Sequence, residues 1–194
     1  MRIAQIRKMD ISNGEGIGVS LFTQFCPFHC PGCHNMSTWA ANGGEEYAQE
    51  TKEKILELVK QPYVSRFSIL GGEPLLPQNV SPLSDLVEEI KEIRPDIKIW
   101  LWTGTNFETL FDYHYNYEGY GQREEDDEEF VALGWTKTNI GALSSLLDNI
   151  DYLIDGRFVQ EKKDLTLKWR GSSNQRVLNC CVSIKRGEPV LADI

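Results

Sequence analysis

The sequence lacks a basic surplus. Its 194 residues include 20 lysines and arginines against 29 aspartates and glutamates, which gives a net charge of -9. Because nucleic-acid affinity depends on Lys and Arg side chains that neutralise phosphates, we expect no direct nucleic-acid partner.

Long apolar runs are also absent. No stretch of eighteen apolar residues occurs, and the first residues, MRIAQIRKMDIS, lack the apolar segment of a signal peptide. We therefore expect a cytoplasmic protein without membrane contact. The length favours one domain, residues 1–194.

Cysteine is scarce, and its distribution is uneven. Five cysteines leave an odd one after pairing, and Cys26, Cys30 and Cys33 lie within eight positions. In a reducing cytoplasm this pattern disfavours a disulfide framework and favours metal or redox chemistry. Cys180 and Cys181 lie far from this cluster. Adjacent residues of a strand face opposite sides, so we expect these two to be packing residues.

Strand and helix patterns alternate along most of the chain, which predicts an α/β fold with a parallel sheet and right-handed crossovers. Apolar runs predict strands at Val19 to Phe25, Arg66 to Leu70, Ile97 to Trp102 and Ile150 to Ile154. Helical patterns lie within Glu45 to Lys60, from Ser81-Pro82 onward, and at Ile140 to Leu147.

Two segments break this alternation. Residues 112–134 are rich in Tyr, Gly and acidic residues, and we interpret them as an acidic surface insertion. Beyond Val177, the pattern predicts a hairpin that turns near Arg186-Gly187.

Unusual residues follow each of the four predicted strands. The cysteine cluster follows the first strand, and the later strands are followed by Gly71-Gly72-Glu73-Pro74, Thr103-Gly104-Thr105 and Asp155-Gly156-Arg157-Phe158. Because the carboxyl ends of parallel strands share one rim, where ligand sites are built, we expect these four motifs to form one site.

The cysteine spacing is Cys26-x3-Cys30-x2-Cys33, which allows the thiolates to wrap one soft-metal centre such as an iron-sulfur cluster. Zinc is the competing metal. A structural zinc site needs a fourth ligand, but no second CxxC pair exists, and His29 and His34 are too close to the cysteines to reach around. Three ligands on a four-iron cluster would leave one iron open for a small molecule.

Longer motifs carry a family resemblance. CxxxCxxC after the first strand and GGEP after the second resemble the radical S-adenosylmethionine superfamily. CPGCHNMSTW, GGEPLLPQNV, WLWTG and DGRFVQEKKDLTLKWRGSSNQ are similar to the activating proteins of anaerobic (class III) ribonucleoside-triphosphate reductases. The resemblance implies a partial (βα) barrel with a mostly parallel sheet and the cluster at the carboxyl ends of its strands.

The same resemblance implies the chemistry. A 4Fe-4S cluster with an open iron would bind S-adenosyl-L-methionine and cleave it reductively to a 5'-deoxyadenosyl radical. That radical would take hydrogen from a glycine of the reductase, the implied protein partner. A flavodoxin-like or other one-electron donor would supply the electron.

Rim position and resemblance together give a set of site residues. The cluster ligands, and through them the catalytic residues, are Cys26, Cys30 and Cys33. The expected cofactor-binding residues are Gly32, Cys33, His34, Gly71, Gly72, Glu73, Thr103, Asp155 and Arg157. Plainer interpretations stay open: His34 as a polar surface residue, the glycines as an ordinary turn, Thr103 as a helix cap, and Asp155 with Arg157 as a surface ion pair.

The WRGSSNQ motif contains Trp169, Arg170, Ser172, Asn174 and Gln175. It is either a polar glycine-containing loop or a lip that closes on the ligand or docks the partner. The chain departs from the family pattern in an earlier loop, where NGPG and then a basic residue are usual. Here the residues are Asn13-Gly14-Glu15-Gly16, with Gly18 two residues on, so a proline and a cation are missing.

Other functions remain as alternatives. Cys30-Pro31-Gly32-Cys33 is a CxxC after a strand, as in thiol-disulfide oxidoreductases, but that function leaves Cys26 and the GGEP motif unused. A passive iron-sulfur electron carrier would normally have a fourth nearby cysteine. The chain could also activate another glycyl-radical enzyme. A zinc deaminase is excluded because no His-x-Glu precedes the CxxC.

Overall fold

A computed structural model describes residues 1–115 and 136–194 as a mixed α/β fold. The strands are β1 (Arg2–Asp10), β2 (Gly18–Thr23), β3 (Glu45–Glu46), β4 (Arg66–Gly71), β5 (Lys98–Trp102), β6 (Tyr152–Asp155) and β7 (Arg176–Asn179). The helices are α1 (Gln49–Val59), α2 (Pro77–Ile93), α3 (Phe107–Tyr115), α4 (Lys137–Asp148) and α5 (Cys180–Arg186), with 3-10 turns at Met36–Thr38 and Gln160–Lys162.

The seven strands form one sheet in the order β3-β1-β2-β4-β5-β6-β7. The four central strands β2, β4, β5 and β6 pair in parallel, whereas β1, β3 and β7 pair antiparallel at the two sides. The α/β class and the parallel centre of the sheet are confirmed. The four predicted strands correspond to these four central strands.

Burial explains why these segments fold as they do. Every residue of β2 is buried, as expected for a central parallel strand that is covered on both faces. In α2 the buried residues recur at helical spacing, at Leu83, Leu86, Val87 and Ile90, and this side of the helix faces the core. Helix α2 also packs against α4. Because the helices pack against the sheet, the loops at the carboxyl ends of the central strands remain available to form a site.

The predicted start of α2 at Ser81-Pro82 is wrong. The helix begins at Pro77, after Leu76 in an extended conformation. Pro77 is in the first turn, where its missing N–H has no helical partner to lose and its fixed φ suits the helix. Pro82 therefore lies inside the helix, in the second turn. The helix therefore starts at Pro77, a proline that was not expected to begin it, and not at Ser81-Pro82.

The predicted hairpin near Arg186-Gly187 is also wrong. Strand β7 leads directly into α5, because the Asn179 side chain caps that helix by accepting a hydrogen bond from the Val182 N–H at 3.1 Å. Gly187 ends the helix in the left-handed conformation, at φ 69°. The chain then returns along β7, and the Ala192 N–H donates to the Val177 carbonyl at 2.9 Å.

Because Cys180 and Cys181 begin a helix and do not lie in a hairpin, their surroundings differ from those expected. Cys180 is fully buried in the core, as a packing residue would be, and Cys181 is exposed.

Of the proposed insertion, residues 112–115 belong to α3, and 116–134 lie outside the described residues. None of the described helices is long and apolar enough to cross a membrane.

Candidate metal and cofactor site

The loops after β2, β4, β5 and β6 meet at one cavity of about 380 Å³, here called the first cavity. The residues of its lining that come from the four motifs are Cys26, Cys30, Cys33, Gly71, Gly72, Glu73, Thr103, Gly104, Gly156, Arg157 and Phe158. Most of the residues expected at the rim are therefore brought together. Gly32 and Asp155 lie outside this lining.

The cysteine loop is held by the segment that follows it. The Phe25 N–H donates to the Thr38 carbonyl at 2.7 Å, and the Cys26 N–H to the Trp39 carbonyl at 3.4 Å. Gly32 is in the left-handed region at φ 75°, and a Cβ there would lie 1.9 Å from the Gln160 Oε1. Glycine at this position lets the loop turn between Cys30 and Cys33.

The three thiols are free and half-buried, and they line the walls of the cavity. Burial raises the pKa of Cys26 to about 11, with the charge of Glu73 adding to the effect, and burial also raises the pKa of Cys30. A raised pKa disfavours the thiolate form, so these cysteines would become thiolate ligands only of a strongly positive metal centre. Among the described residues, no three His, Cys, Asp or Glu side chains are grouped to hold a single metal ion. Three soft donors spread around a cavity fit a multi-iron cluster better than one zinc ion.

The GGEP loop packs directly on the cysteine loop. The Gly72 N–H donates to the Thr23 carbonyl and the Glu73 N–H to the Phe25 carbonyl, both at 2.8 Å. A Cβ on Gly72 would lie 2.3 Å from the Phe25 carbonyl oxygen. Gly71, at φ 108°, has a similarly close neighbour in the β2 backbone. The two glycines are thus needed for the contact between the two loops.

Glu73 ties the GGEP loop to the loop after β5. Its carboxylate is 2 % exposed and accepts hydrogen bonds from the Thr103 hydroxyl at 2.6 Å, the Gly104 N–H at 2.8 Å and the Leu75 N–H at 3.0 Å. Burial raises the pKa of Glu73, and these hydrogen bonds offset only part of that rise. The Thr103 hydroxyl is committed to Glu73, and it also accepts from the Thr105 N–H.

Asp155 and Arg157 have separate surroundings. Asp155 is buried, accepts from the Phe107 N–H at 2.8 Å at the start of α3, and is ion-paired with Arg176. Arg157 is exposed, and its guanidinium lies 4.3 Å from the ring centroid of Phe28. The structure therefore brings Arg157 to the first cavity and gives Asp155 contacts that join β6, β7 and α3.

His34 is exposed and lines the first cavity. Its ring meets the Phe158 ring edge to face, with centroids 6.3 Å apart. This contact joins the cysteine loop to the loop after β6.

The WRGSSNQ motif forms a wall of the cavity and braces the loop after β6. The Gln175 Nε2 donates to the Gly156 carbonyl at 3.0 Å, and the Asn174 Nδ2 donates to the Arg157 carbonyl at 2.9 Å. The buried Ser172 hydroxyl accepts from the Val159 N–H at 3.2 Å. Trp169, Arg170, Gly171 and Gln175 line the first cavity.

Several residues of the lining were not among the expected site residues, and two of them, Ser12 and Asn13, lie in the loop after β1. Their loop is stabilised by Arg66, which is fully buried and donates a hydrogen bond to the Asp10 carbonyl at 2.6 Å. The Ser68 hydroxyl donates to the Asn13 carbonyl, also at 2.6 Å. The sequence signal for this support was Arg66 itself, a charged residue at the start of the buried strand sequence RFSIL.

Comparisons with known proteins agree with this geometry. A family model described as "4Fe-4S single cluster domain" matches residues 12–178. The "Anaerobic ribonucleoside-triphosphate reductase-activating protein" of Vibrio cholerae is 36% identical over 177 residues, 90% of this chain and 96% of that protein. Proteins with the same name from Escherichia coli K12 and Enterobacteria phage T4 are 34% and 32% identical over 179 residues, 91% of this chain and 97% and 93% of theirs.

Proposed function

The chain belongs to the 4Fe-4S single cluster domain family and to the anaerobic ribonucleoside-triphosphate reductase-activating proteins, and we propose that it generates a glycyl radical on such a reductase. The observation that carries this proposal is the meeting of three free cysteines and the GGEP loop at one cavity. An oxidoreductase that used only Cys30 and Cys33 would leave Cys26 in the same cavity without a function.

Cys26, Cys30 and Cys33 would hold the 4Fe-4S cluster. The bound cluster would supply the electron for reductive cleavage of S-adenosyl-L-methionine, the radical chemistry by which a hydrogen atom would be taken from a glycine of the partner. The half-buried position of the thiols limits water access to the ligands.

Arg157 and Arg170 are the cationic residues of this lining whose guanidinium groups suit a carboxylate, such as that of the methionine portion of S-adenosyl-L-methionine. Trp102, Phe158 and Trp169 provide aromatic walls that would shield a bound cofactor from water. The Trp102 Nε1 donates to the Trp169 carbonyl at 2.7 Å, which fixes the two walls together. The remaining cofactor contacts would come from the backbone of Gly71 and Gly72 and from His34.

The resemblance supports three finer proposals. Residues 1–194 form a single domain, the sheet is curved as a partial (βα) barrel, and a flavodoxin-like or other one-electron donor reduces the cluster. The strand order, with the short β3 at one side and β7 at the other, is compatible with an incomplete barrel.

An anaerobic assay tests the function. The anaerobically purified protein should be brown, and after addition of reductant it should convert S-adenosyl-L-methionine to methionine and 5'-deoxyadenosine. With the matching reductase, a stable radical with glycyl hyperfine splitting should appear on that partner in electron paramagnetic resonance. A Cys26→Ala variant is the control. Cleavage of S-adenosyl-L-methionine without a radical on a competent, oxygen-free reductase would contradict the activase function. It would leave the assignment to the radical S-adenosylmethionine superfamily unaffected.

A further inference from the structure

The segment that follows β6 is basic, although the chain as a whole is acidic. Residues 157–170, here called the basic lip, contain five cations and two acids, whereas the whole chain has a net charge of -9. Elsewhere on the surface, Lys52 and Lys91 are ion-paired. Within the described part of the chain, no ion pair is formed by the cations of the lip, which are Arg157, Lys162, Lys163, Lys168 and Arg170. The lip therefore presents unpaired positive charge.

Backbone hydrogen bonds hold the basic lip against the WRGSSNQ motif. The Lys162 carbonyl accepts a hydrogen bond from the Ser173 N–H at 2.8 Å. The Asp164 N–H donates to the Gly171 carbonyl at 3.1 Å. The cations are therefore carried by a turn of fixed shape, and a partner would meet the same arrangement of charges in each encounter.

The lip also exposes an apolar side chain. Leu165 is 79% exposed, more than any other large apolar side chain among the described residues. The lysines around it, Lys162, Lys163 and Lys168, are exposed as well. An apolar centre with a polar, charged rim is the usual composition of a protein–protein contact.

The basic lip touches the cysteine loop directly. Gln160 packs so closely on Gly32 that a Cβ there would lie 1.9 Å from the Gln160 Oε1. Burial raises the pKa of Cys30, whereas a hydrogen bond from the Phe158 backbone and the charge of Arg157 oppose that rise. Electron transfer through protein slows steeply as the path lengthens. The lip is therefore a surface from which an electron has a short path to Cys30.

We infer that the basic lip is the docking surface for the electron donor of the cluster, and that this donor is a small carrier protein with an acidic patch around its redox group. The inference rests on the proposed function and adds the chemistry and the place of its electron donor. The carrier is oxidised by one electron, the cluster is reduced by the same electron, and no proton has to cross. Complexes of this kind are small and transient, so opposite charges on the two surfaces can guide the encounter.

A compact acidic protein suits the lip better than an extended polyanion. The positive charge is confined to one short segment of a chain whose net charge is -9. A nucleic acid that lay across the protein would meet repulsion beyond this segment. A small carrier can contact the lip alone.

A lip variant tests the inference. It combines Lys162→Gln, Lys163→Gln and Lys168→Gln, which removes three positive charges and leaves the backbone hydrogen bonds in place. Arg157 and Arg170 stay unchanged, because both line the first cavity.

The matched control removes the same charge elsewhere. It combines Lys54→Gln in α1 with Lys185→Gln and Arg186→Gln in α5. All three side chains are exposed, and no residue of either helix lines the first cavity. A general effect of net charge would appear equally in the control and in the lip variant.

The probe is flavodoxin, an acidic flavoprotein, reduced to its hydroquinone. Its one-electron oxidation by the reconstituted protein is followed anaerobically by stopped-flow absorbance of the semiquinone. At low ionic strength, the lip variant should lose at least tenfold in this rate, and the control should stay within twofold of the wild type. High salt should remove most of the difference, because it screens the charges.

Two further measurements separate docking from chemistry. The dissociation constant of oxidised flavodoxin, measured by calorimetry with the reconstituted protein, should rise at least tenfold in the lip variant alone. Iron content and cleavage of S-adenosyl-L-methionine with dithionite as reductant should stay within twofold of the wild type in both variants, because a small reductant does not need the lip.

Three results would overturn the inference. A flavodoxin rate within twofold of the wild type in the lip variant would show that the donor docks elsewhere. An equal loss in the control would show a general charge effect. If the lip variant formed the glycyl radical at least tenfold more slowly with dithionite, the lip would belong to the reductase. The proposed function fails separately, if the wild-type protein with dithionite does not cleave S-adenosyl-L-methionine.

Discussion

Gly18 and Arg66 lie opposite each other on the parallel strands β2 and β4, and the Arg66 side chain fills the space beside Gly18. A Cβ on Gly18 would lie 2.4 Å from the Arg66 Cγ. The sequence around Gly18 lacks the basic residue of the family pattern. The structure nevertheless places a buried cation beside that loop, supplied by the neighbouring strand.

The partner of this cation is Asp10, whose carboxylate lies 3.6 Å from the Arg66 guanidinium. Burial would raise the pKa of Asp10, but hydrogen bonds from Ser20, Ser12 and Asn13 outweigh it and leave the pKa below its usual value. The buried pair stabilises the loop that contributes Ser12 and Asn13 to the first cavity.

Replacing Gly18 by alanine should therefore destabilise the protein. The added Cβ would overlap the Arg66 stem, and overpacking of this kind costs about 1–3 kcal/mol. Urea unfolding of the cluster-free protein measures the loss. Gly171→Ala is the comparison, because its Cβ would lie 3.1 Å from a movable Phe158 ring, so the loss should be smaller. Equal losses would contradict the role of Arg66.

Iron binding should depend on the first three cysteines alone. Cys26→Ala, Cys30→Ala and Cys33→Ala should each abolish cluster reconstitution, measured as iron and sulfide per chain, because each removes a thiol from the first cavity. The double variant Cys180→Ala with Cys181→Ala should keep full iron content, since the Cys180 thiol faces the Leu147 carbonyl in the core. Loss of iron in the double variant would reveal a fourth protein ligand.

Glu73→Gln should loosen the site although it keeps the shape of the side chain. In either orientation, the new amide group would face a donor, the Gly104 N–H or the Leu75 N–H. An unmet buried hydrogen bond costs about 1–3 kcal/mol, which should appear as a lower free energy of unfolding and a weaker affinity for S-adenosyl-L-methionine. Thr103→Val removes only one donor to the carboxylate and should do less harm. The opposite order would contradict this role of Glu73.

The central strands and the shared rim could be predicted because both follow from local pattern. Contiguous apolar runs such as the one in β4 give buried strands, and parallel pairing places their carboxyl ends together. Strand β1 escaped prediction because its sequence, RIAQIRKMD, is charged and its burial is irregular. One neighbour of β1 is the two-residue strand β3, so most of β1 lies at the edge of the sheet, where a strand requires little apolar surface.

The roles of individual site residues were less predictable, since they depend on partners distant in the sequence. Asp155 follows a predicted strand as Glu73 does, but its contacts are set by Arg176 and the start of α3. Asn179 was hidden in an apparent strand pattern, although it caps a helix. Pairings of this kind emerge only when the chain is folded.

The ion pair between Glu108 and Arg176 predicts how stability responds to acid. Two hydrogen bonds of 2.8 Å from the Arg176 guanidinium lower the pKa of Glu108 from 4.5 to about 2. Because the folded-state pKa lies below the unfolded value, this pair contributes stability above pH 4.5 and loses it as the pH falls towards 2.

A Glu108→Gln variant isolates that contribution. The free energy of unfolding in urea should differ most between wild type and variant at pH 6 to 7, and the difference should shrink steadily from about pH 4.5 downward. It should stay below about 1 kcal/mol, because the Glu108 side chain is 57% exposed and water screens the pair. High salt should reduce it further at neutral pH. A difference that grew on acidification would mean that Glu108 is stabilised in its protonated form.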